Sequence, residues 1–396
     1  MIDQLNKLFK STKQLYKSEA EEVINRFSLI RNSGLLDSSI KNSIAPILKR
    51  MAEISASIEN IPDNDFKSIH ELEREIRSEE RILEMLENAI STFISHRNLS
   101  TSLSILFEHL YTEIIENDLP FLVISREGEA LQTYPSLRNE ENELLVGVIG
   151  IPLFSVSHLY EWILAGHEFG HIIANKRLNA GIEYAEIGED DDLDEIKNKV
   201  IRNYKMEILA DFTAMQIFGP VFLEVLLTEF TGAEPESRGT EDTFVAGKTH
   251  PPIPWRIRLC YDQASYFDRM GFNKEFEREG AEEFIKAVES VISERYPREK
   301  SEQKYEGYGR VKYTDMVQSG ILEMDFENIR DIEDLKKCYK NAYKISELLQ
   351  KGETITEDEF SPDQIVIGGY LASRAKPTEF KSYTQKVIDL MMKRKV

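Results

Sequence analysis

The chain has 396 residues, and its 70 acidic against 49 basic side chains give a formal net charge of -21. Such a surface repels phosphate backbones and anionic membranes, which argues against nucleic acid as the main partner. Hydrophobic residues make up 41% and aromatic residues 10%, enough for a sizeable packed core, in two or three domains or one large elaborated one, and too much for wholesale disorder.

From the N-terminus to about Asn117 the chain reads as helical. Leu5, Leu8, Phe9, Leu15, Tyr16, Val23, Phe27 and Ile30 recur at helical spacing. Ile40, Ile44, Ile47, Met51, Ile54 and Ile58 mark a second helix, with Pro46 near its start. Ile69, Leu72, Ile76, Leu83, Leu86, Ile90 and Phe93 alternate steps of three and four, with a polar gap at Glu79. That is heptad spacing, which predicts a helical hairpin packing on itself; a docking surface for a regulatory protein partner is the alternative.

At Pro120 the texture changes. Phe121 to Ile124, a turn at Arg126-Glu127-Gly128 and a continuation over residues 129–134 predict a hairpin. Residues 144–151 predict a further strand. The apolar stretch from Leu144 to Ala165 is interrupted by Pro152, His158 and Glu161, so a strand followed by a helix explains it better than a membrane span. The two cysteines, Cys260 and Cys338, are far apart and form no disulfide framework. The first residues lack the apolar core of a signal peptide, and together these features predict a soluble cytoplasmic protein.

One helix is expected over residues 157–176, then a solvated acidic loop around Glu189 to Glu195. A second helix is expected from about Glu195 to Phe218, stopped by Gly219-Pro220. Residues 232–248 read as a loop, His250-Pro251-Pro252 opens another helix, and the chain beyond Gly271 is mostly helical and charged.

The chemistry lies in Gly166-His167-Glu168-Phe169-Gly170-His171. Two histidines four apart on a helix lie about 40° apart around its axis, so both imidazoles reach one ion. Glu168 flanks the same site and can take a proton from metal-bound water. Gly166 and Gly170 each cost roughly 1 kcal/mol of helix propensity relative to alanine, which points to close approach by another element. Zinc needs a third protein ligand and an open fourth position. Glu207 offers the ligand, and Asp211, one turn on, can accept the free ring N–H of a ligand histidine. Both sit on a largely apolar helix, where carboxylates need partners. A histidine-carboxylate set fits one Zn2+ per chain best.

This arrangement, from Leu144 to Leu259, resembles the gluzincin zinc peptidases, in which a second helix supplies a glutamate ligand followed four residues later by an aspartate. Thr249-His250-Pro251 followed by Arg256-Ile257 is similar to the His-Pro…Arg-Ile segment of the CAAX-prenyl-protease-like peptidases. The resemblance implies that His250 donates to the tetrahedral oxyanion and that Arg256 pairs with Glu207 or Asp211. It also implies that the strand before the metal helix, at Gly147, Val148, Ile149, Gly150 and Ile151, offers an edge to an extended protein or peptide substrate. The expected architecture is mainly α with a small β-sheet: a helical region over 1–117, a zincin-like catalytic core over 118–270 and a helical region over 271–396. The expected function is zinc-dependent endopeptidase, with the flanking helices as a regulatory element. The rival reading is a non-catalytic helical adaptor or scaffold with a structural metal.

Overall fold

The protein was analysed as a computed structural model. It describes residues 2–34, 38–62, 65–126, 132–133, 137–138, 144–152, 158–177, 191–231, 250–252, 255–262, 310–318, 329–356 and 359–394, with residues 185, 187, 188 and 290. The turn expected after Arg126, the loop expected over 232–248 and most of the chain between 271 and 309 lie outside these residues. The fold is mainly helical with a small sheet. Its contacts form two units, Met1–Glu108 with Asn117–Leu153, and His109–Glu116 with Phe154–Val396. The strands thus group with the N-terminal helices, at other boundaries than the three regions above.

In the first unit, α1 (Ile2–Asn32), α2 (Ser38–Asn60) and α3 (Phe66–Ser95) pack on one another. Asp65 caps α3 by accepting from the Ser68 amide at 3.1 Å. The heptad residues Ile69, Ile76, Leu83 and Leu86 are buried in one cluster with Phe9, Val23 and Phe27 of α1 and Ile44, Met51 and Ile54 of α2. These four positions of the seam are therefore packed within the unit, as a helical hairpin closing on itself requires. Glu79, at the polar gap, is buried and ion-paired with Arg50. Pro46 lies inside α2, about two turns from its start by the 3.6-residue period.

The helix α4 (Arg97–Ile115) leads to the sheet of β1 (Phe121–Arg126), β2 (Gln132–Thr133), β3 (Leu137–Arg138) and β4 (Leu144–Pro152). Among the described residues β1 and β2 do not pair as the expected hairpin would require. Instead β1 runs parallel to β4, from Phe121 opposite Gly147 to Arg126 opposite Pro152. Residues 121–124 of β1 and 146–151 of β4 are buried, the pattern of parallel strands covered on both faces. On its other side β4 pairs antiparallel with β2, at Gln132 opposite Gly150 and Thr133 opposite Ile149, and with β3 at Leu137 opposite Val146. β4 is the central strand, so the expectation of a free edge at Gly147 to Ile151 is corrected: neighbouring strands already occupy that backbone.

The second unit holds α5 (Leu159–Leu164), α6 (Gly166–Arg177), α7 (Leu193–Phe218), α8 (Pro220–Thr231) and a helix over residues 255–262 (α9). It continues with α10 (Tyr313–Gln318), α11 (Ile332–Lys351), α12 (Pro362–Ala375) and α13 (Phe380–Lys393). The single helix expected over 157–176 is divided at Ala165 into α5 and α6. Hydrogen bonds still cross the junction, from the Ala165 amide to the Glu161 carbonyl (2.8 Å) and from the Phe169 amide to the Ala165 carbonyl (3.1 Å). Part of the expected acidic loop serves α7: Asp192 caps it through the Glu195 amide (2.8 Å), and Asp191 accepts from Lys199 (2.8 Å). Among the described residues no helix is long and apolar enough to cross a membrane.

Beyond α7 the stop at Gly219 is reinforced from far along the chain. The Tyr339 hydroxyl of α11 donates to the Phe218 carbonyl (2.5 Å) and accepts from the Val221 amide (3.0 Å). Arg330 donates to the Ile217 carbonyl (2.9 Å) and pairs with buried Asp363 of α12 (2.8 Å). Asp363 also accepts from the Ser361 hydroxyl (2.5 Å) and the Cys338 thiol (3.3 Å).

Candidate metal centre

Helices α6 and α7 make the tightest packing near the site, and two glycines allow it. A methyl group on Gly170 would fall 2.8 Å from the Ala210 Cα and closer still to its carbonyl oxygen, and one on Gly166 would fall 2.5 Å from the Phe218 ring. Backbone cannot yield as a side-chain tip can. Gly170→Ala should therefore push α6 off α7, costing about 1–3 kcal/mol as overpacked sites do. A melting temperature equal to that of the native protein would contradict the packing argument.

The close approach brings His167 and His171 of α6 against Glu207 of α7. The donor atoms of all three lie within 4.8 Å of one another. His167 Nε2 is 3.2 Å from His171 Nε2 and 3.3 Å from Glu207 Oε2, and His171 Nε2 is 3.5 Å from Glu207 Oε1. Zinc bonds of about 2.0–2.1 Å at tetrahedral angles place neighbouring ligand atoms about 3.3 Å apart. The two imidazole nitrogens are thus about as far apart as neighbouring ligands of one ion, and each has a Glu207 oxygen at a similar distance. All three residues are less than a tenth exposed, as is Glu168 beside them.

Asp211, one turn past Glu207, accepts from His167 Nδ1 at 2.8 Å, which fixes the ring and leaves Nε2 facing the other donors. Arg256 of α9 grips both Asp211 oxygens, at 2.7 and 2.8 Å, and passes 3.9 Å from Glu207. His250, half exposed, places its Nε2 3.3 Å from Glu207 Oε2, outside the three-donor cluster. Pro252 accepts the Trp255 amide at 2.8 Å, so the His-Pro-Pro segment opens α9 and carries His250 and Arg256 to the two carboxylates of one helix face.

Burial works against charge throughout this cluster, and the neighbours decide each case. At His167 the Asp211 carboxylate outweighs burial and, with Glu207, raises the pKa to about 10. At His171 burial prevails, helped by the charge on His167, and its pKa is lowered. Burial alone would raise the Glu207 carboxyl, yet the surrounding imidazoles hold it well below the usual range. Asp211, buried but beside Arg256 and His167, is held down at about 2.

One contact here escaped the sequence reading. Asn203, one turn before Glu207 on the same face of α7, accepts from the Ala185 amide (2.7 Å) and donates to the Ala185 carbonyl (3.2 Å). Its four-residue spacing from Glu207 was the available signal. Glu161 of α5 is 4% exposed, and its sequence context carries no motif. Gly147, Val148, Ile149 and Gly150 belong to the other unit, in the centre of its sheet. Comparison of the chain with protein-family models, curated proteins and solved structures finds no match.

Proposed function

We propose that the protein is a zinc-dependent endopeptidase whose metal is held by His167, His171 and Glu207. The carrying observation is the spacing of 3.2 to 3.5 Å among their donor atoms, with Glu168 next to the first ligand on the same helix. When bound, zinc lowers the pKa of a coordinated water toward neutrality and polarises a carbonyl. Glu168 takes the proton from the attacking water and later delivers it to the leaving amine. His250, the half-exposed member of the group, donates to the developing oxyanion. Asp211 and Arg256 act behind the ligands: Asp211 orients His167, and Arg256 balances the two buried carboxylates.

Elemental analysis of the purified protein, beside a Glu207→Ala variant, tests this reading. About one zinc per chain is expected, as in catalytic sites with three protein ligands, and the variant should lose it or hold it weakly. No metal in the native protein, even after zinc is offered, would leave a helical scaffold with a degenerate histidine pair.

A further inference from the structure

We propose that the second unit carries a separate binding site for a small aliphatic diamine or polyamine, a class of ligand that the peptidase reading does not involve. The site is a cleft of about 330 Å³, lined by the last turns of α4, the end of α7 and the first turns of α11 and α12. Every residue that lines it belongs to that one unit, and none of the three metal donors is among them. Sites for small molecules are concave, a few hundred Å³ in volume and mostly apolar, with a few polar groups that select the ligand. Leu110 and Ile114 of α4, Ile217 of α7 and Ile329 supply the apolar walls. Among the described residues no aromatic side chain lines the cleft, so nothing there stacks on a planar ring.

The charges along the cleft say which groups the ligand carries. Arg330 is already spent: it pairs with buried Asp363 at 2.8 Å and donates to the Ile217 carbonyl at 2.9 Å. His109 faces the same Asp363 at 3.7 Å. Around this pair stand Glu113 of α4 and Asp331 and Asp334 at the start of α11, against Lys337. Asp331 accepts from the Glu333 amide at 2.9 Å as the cap of α11. Glu113 and Asp334 are exposed and sit on different helices, and among the described residues no hydrogen bond or ion pair reaches either side chain. Three carboxylates against one ammonium leave the rim negative, so an anion is repelled there. A bare metal ion would leave the aliphatic walls unused. A methylene chain with an ammonium group at each end meets both features. The chain lies along the aliphatic residues, as the stem of a lysine does, and the ammonium groups reach Glu113 and Asp334.

Calorimetric titration of the purified full-length protein with 1,5-diaminopentane and with spermidine tests the proposal. One saturable site is expected. Glu113→Gln combined with Asp334→Asn should weaken it about tenfold, since exposed charge pairs contribute modestly one by one. Lys337→Gln should tighten it about threefold by removing the opposing charge, a gain that misfolding cannot produce. Glu75→Gln combined with Glu84→Gln, two exposed positions of α3 in the other unit, should leave the affinity unchanged. An equal loss in that remote pair would show diffuse attraction to a chain of net charge -21 and overturn the proposal. Two competitors separate the halves of the recognition. Magnesium carries the charge without a chain, and Nα-acetyl-lysine amide carries a chain with a single ammonium group. Each should displace the bound diamine only at tenfold higher concentration or more. Displacement by magnesium at equal concentration would show that the aliphatic walls contribute nothing. Displacement by the lysine amide at equal concentration would show that one ammonium suffices, as on a protein side chain. Either result overturns the diamine assignment, as does the lack of saturable binding by both amines.

Discussion

Glu168→Gln should bind zinc as the native protein does and lose hydrolysis by about 10²- to 10⁴-fold, the usual contribution of a positioned general base. The substitution keeps the shape of a residue that is 6% exposed, so it opens no cavity between α6 and its neighbours. It also leaves all three metal donors in place. What it removes is the ability to accept a proton from water. Zinc content by elemental analysis and peptide cleavage by mass spectrometry check the two halves separately. Cleavage at the native rate would show that Glu168 is not the base, whatever the metal content.

Asp363→Ala should destabilise the second unit by about 3–5 kcal/mol in denaturant unfolding, the range for breaking a buried ion pair from one side. The lower end is the better expectation, because Arg330 keeps 20% of its side chain in solvent. The native pair also predicts an acid limit. Burial alone would raise the Asp363 carboxyl, but Arg330, with His109 and Ser361, holds it far below the ordinary range. A carboxyl depressed in the folded state adds stability above its unfolded pKa of about 3.9, and that increment is lost as the pH falls below it. Native protein and variant should therefore differ most near neutral pH and converge in acid. A constant difference between pH 7 and pH 3 would show that the charge on Asp363 contributes nothing.

The histidine pair and its carboxylates were legible because their geometry is local. His167 and His171 share a helix face by spacing alone, and so do Glu207 and Asp211. The glycine costs at 166 and 170 also announced a close neighbour, which proved to be α7. Pairing partners were not legible. The residues of β1 state that it is a buried strand but not that it lies beside β4, because a short apolar run carries no address. The same limit hid the interior place of β4 and, with it, the absence of a free edge there. Glu79 read as a gap in a heptad seam, since its ion pair with Arg50 joins α2 and α3. Arg330 and Tyr339 looked like ordinary surface and core residues, because the carbonyls they serve lie 113 and 121 positions earlier.

Those two distant contacts set an order of events during synthesis. When residues 193–218 have left the ribosome they carry Glu207 and Asp211, but the carbonyls at Ile217 and Phe218 wait for side chains more than a hundred residues downstream. Chains emerge at roughly 5–20 residues per second, so the end of α7 waits at least several seconds for these two side chains. Over that interval the histidines and carboxylates can meet an ion before the helix that bears two of them has its final tether. Arg330 and Tyr339, far along the chain from the histidines and carboxylates, are what complete the frame around them.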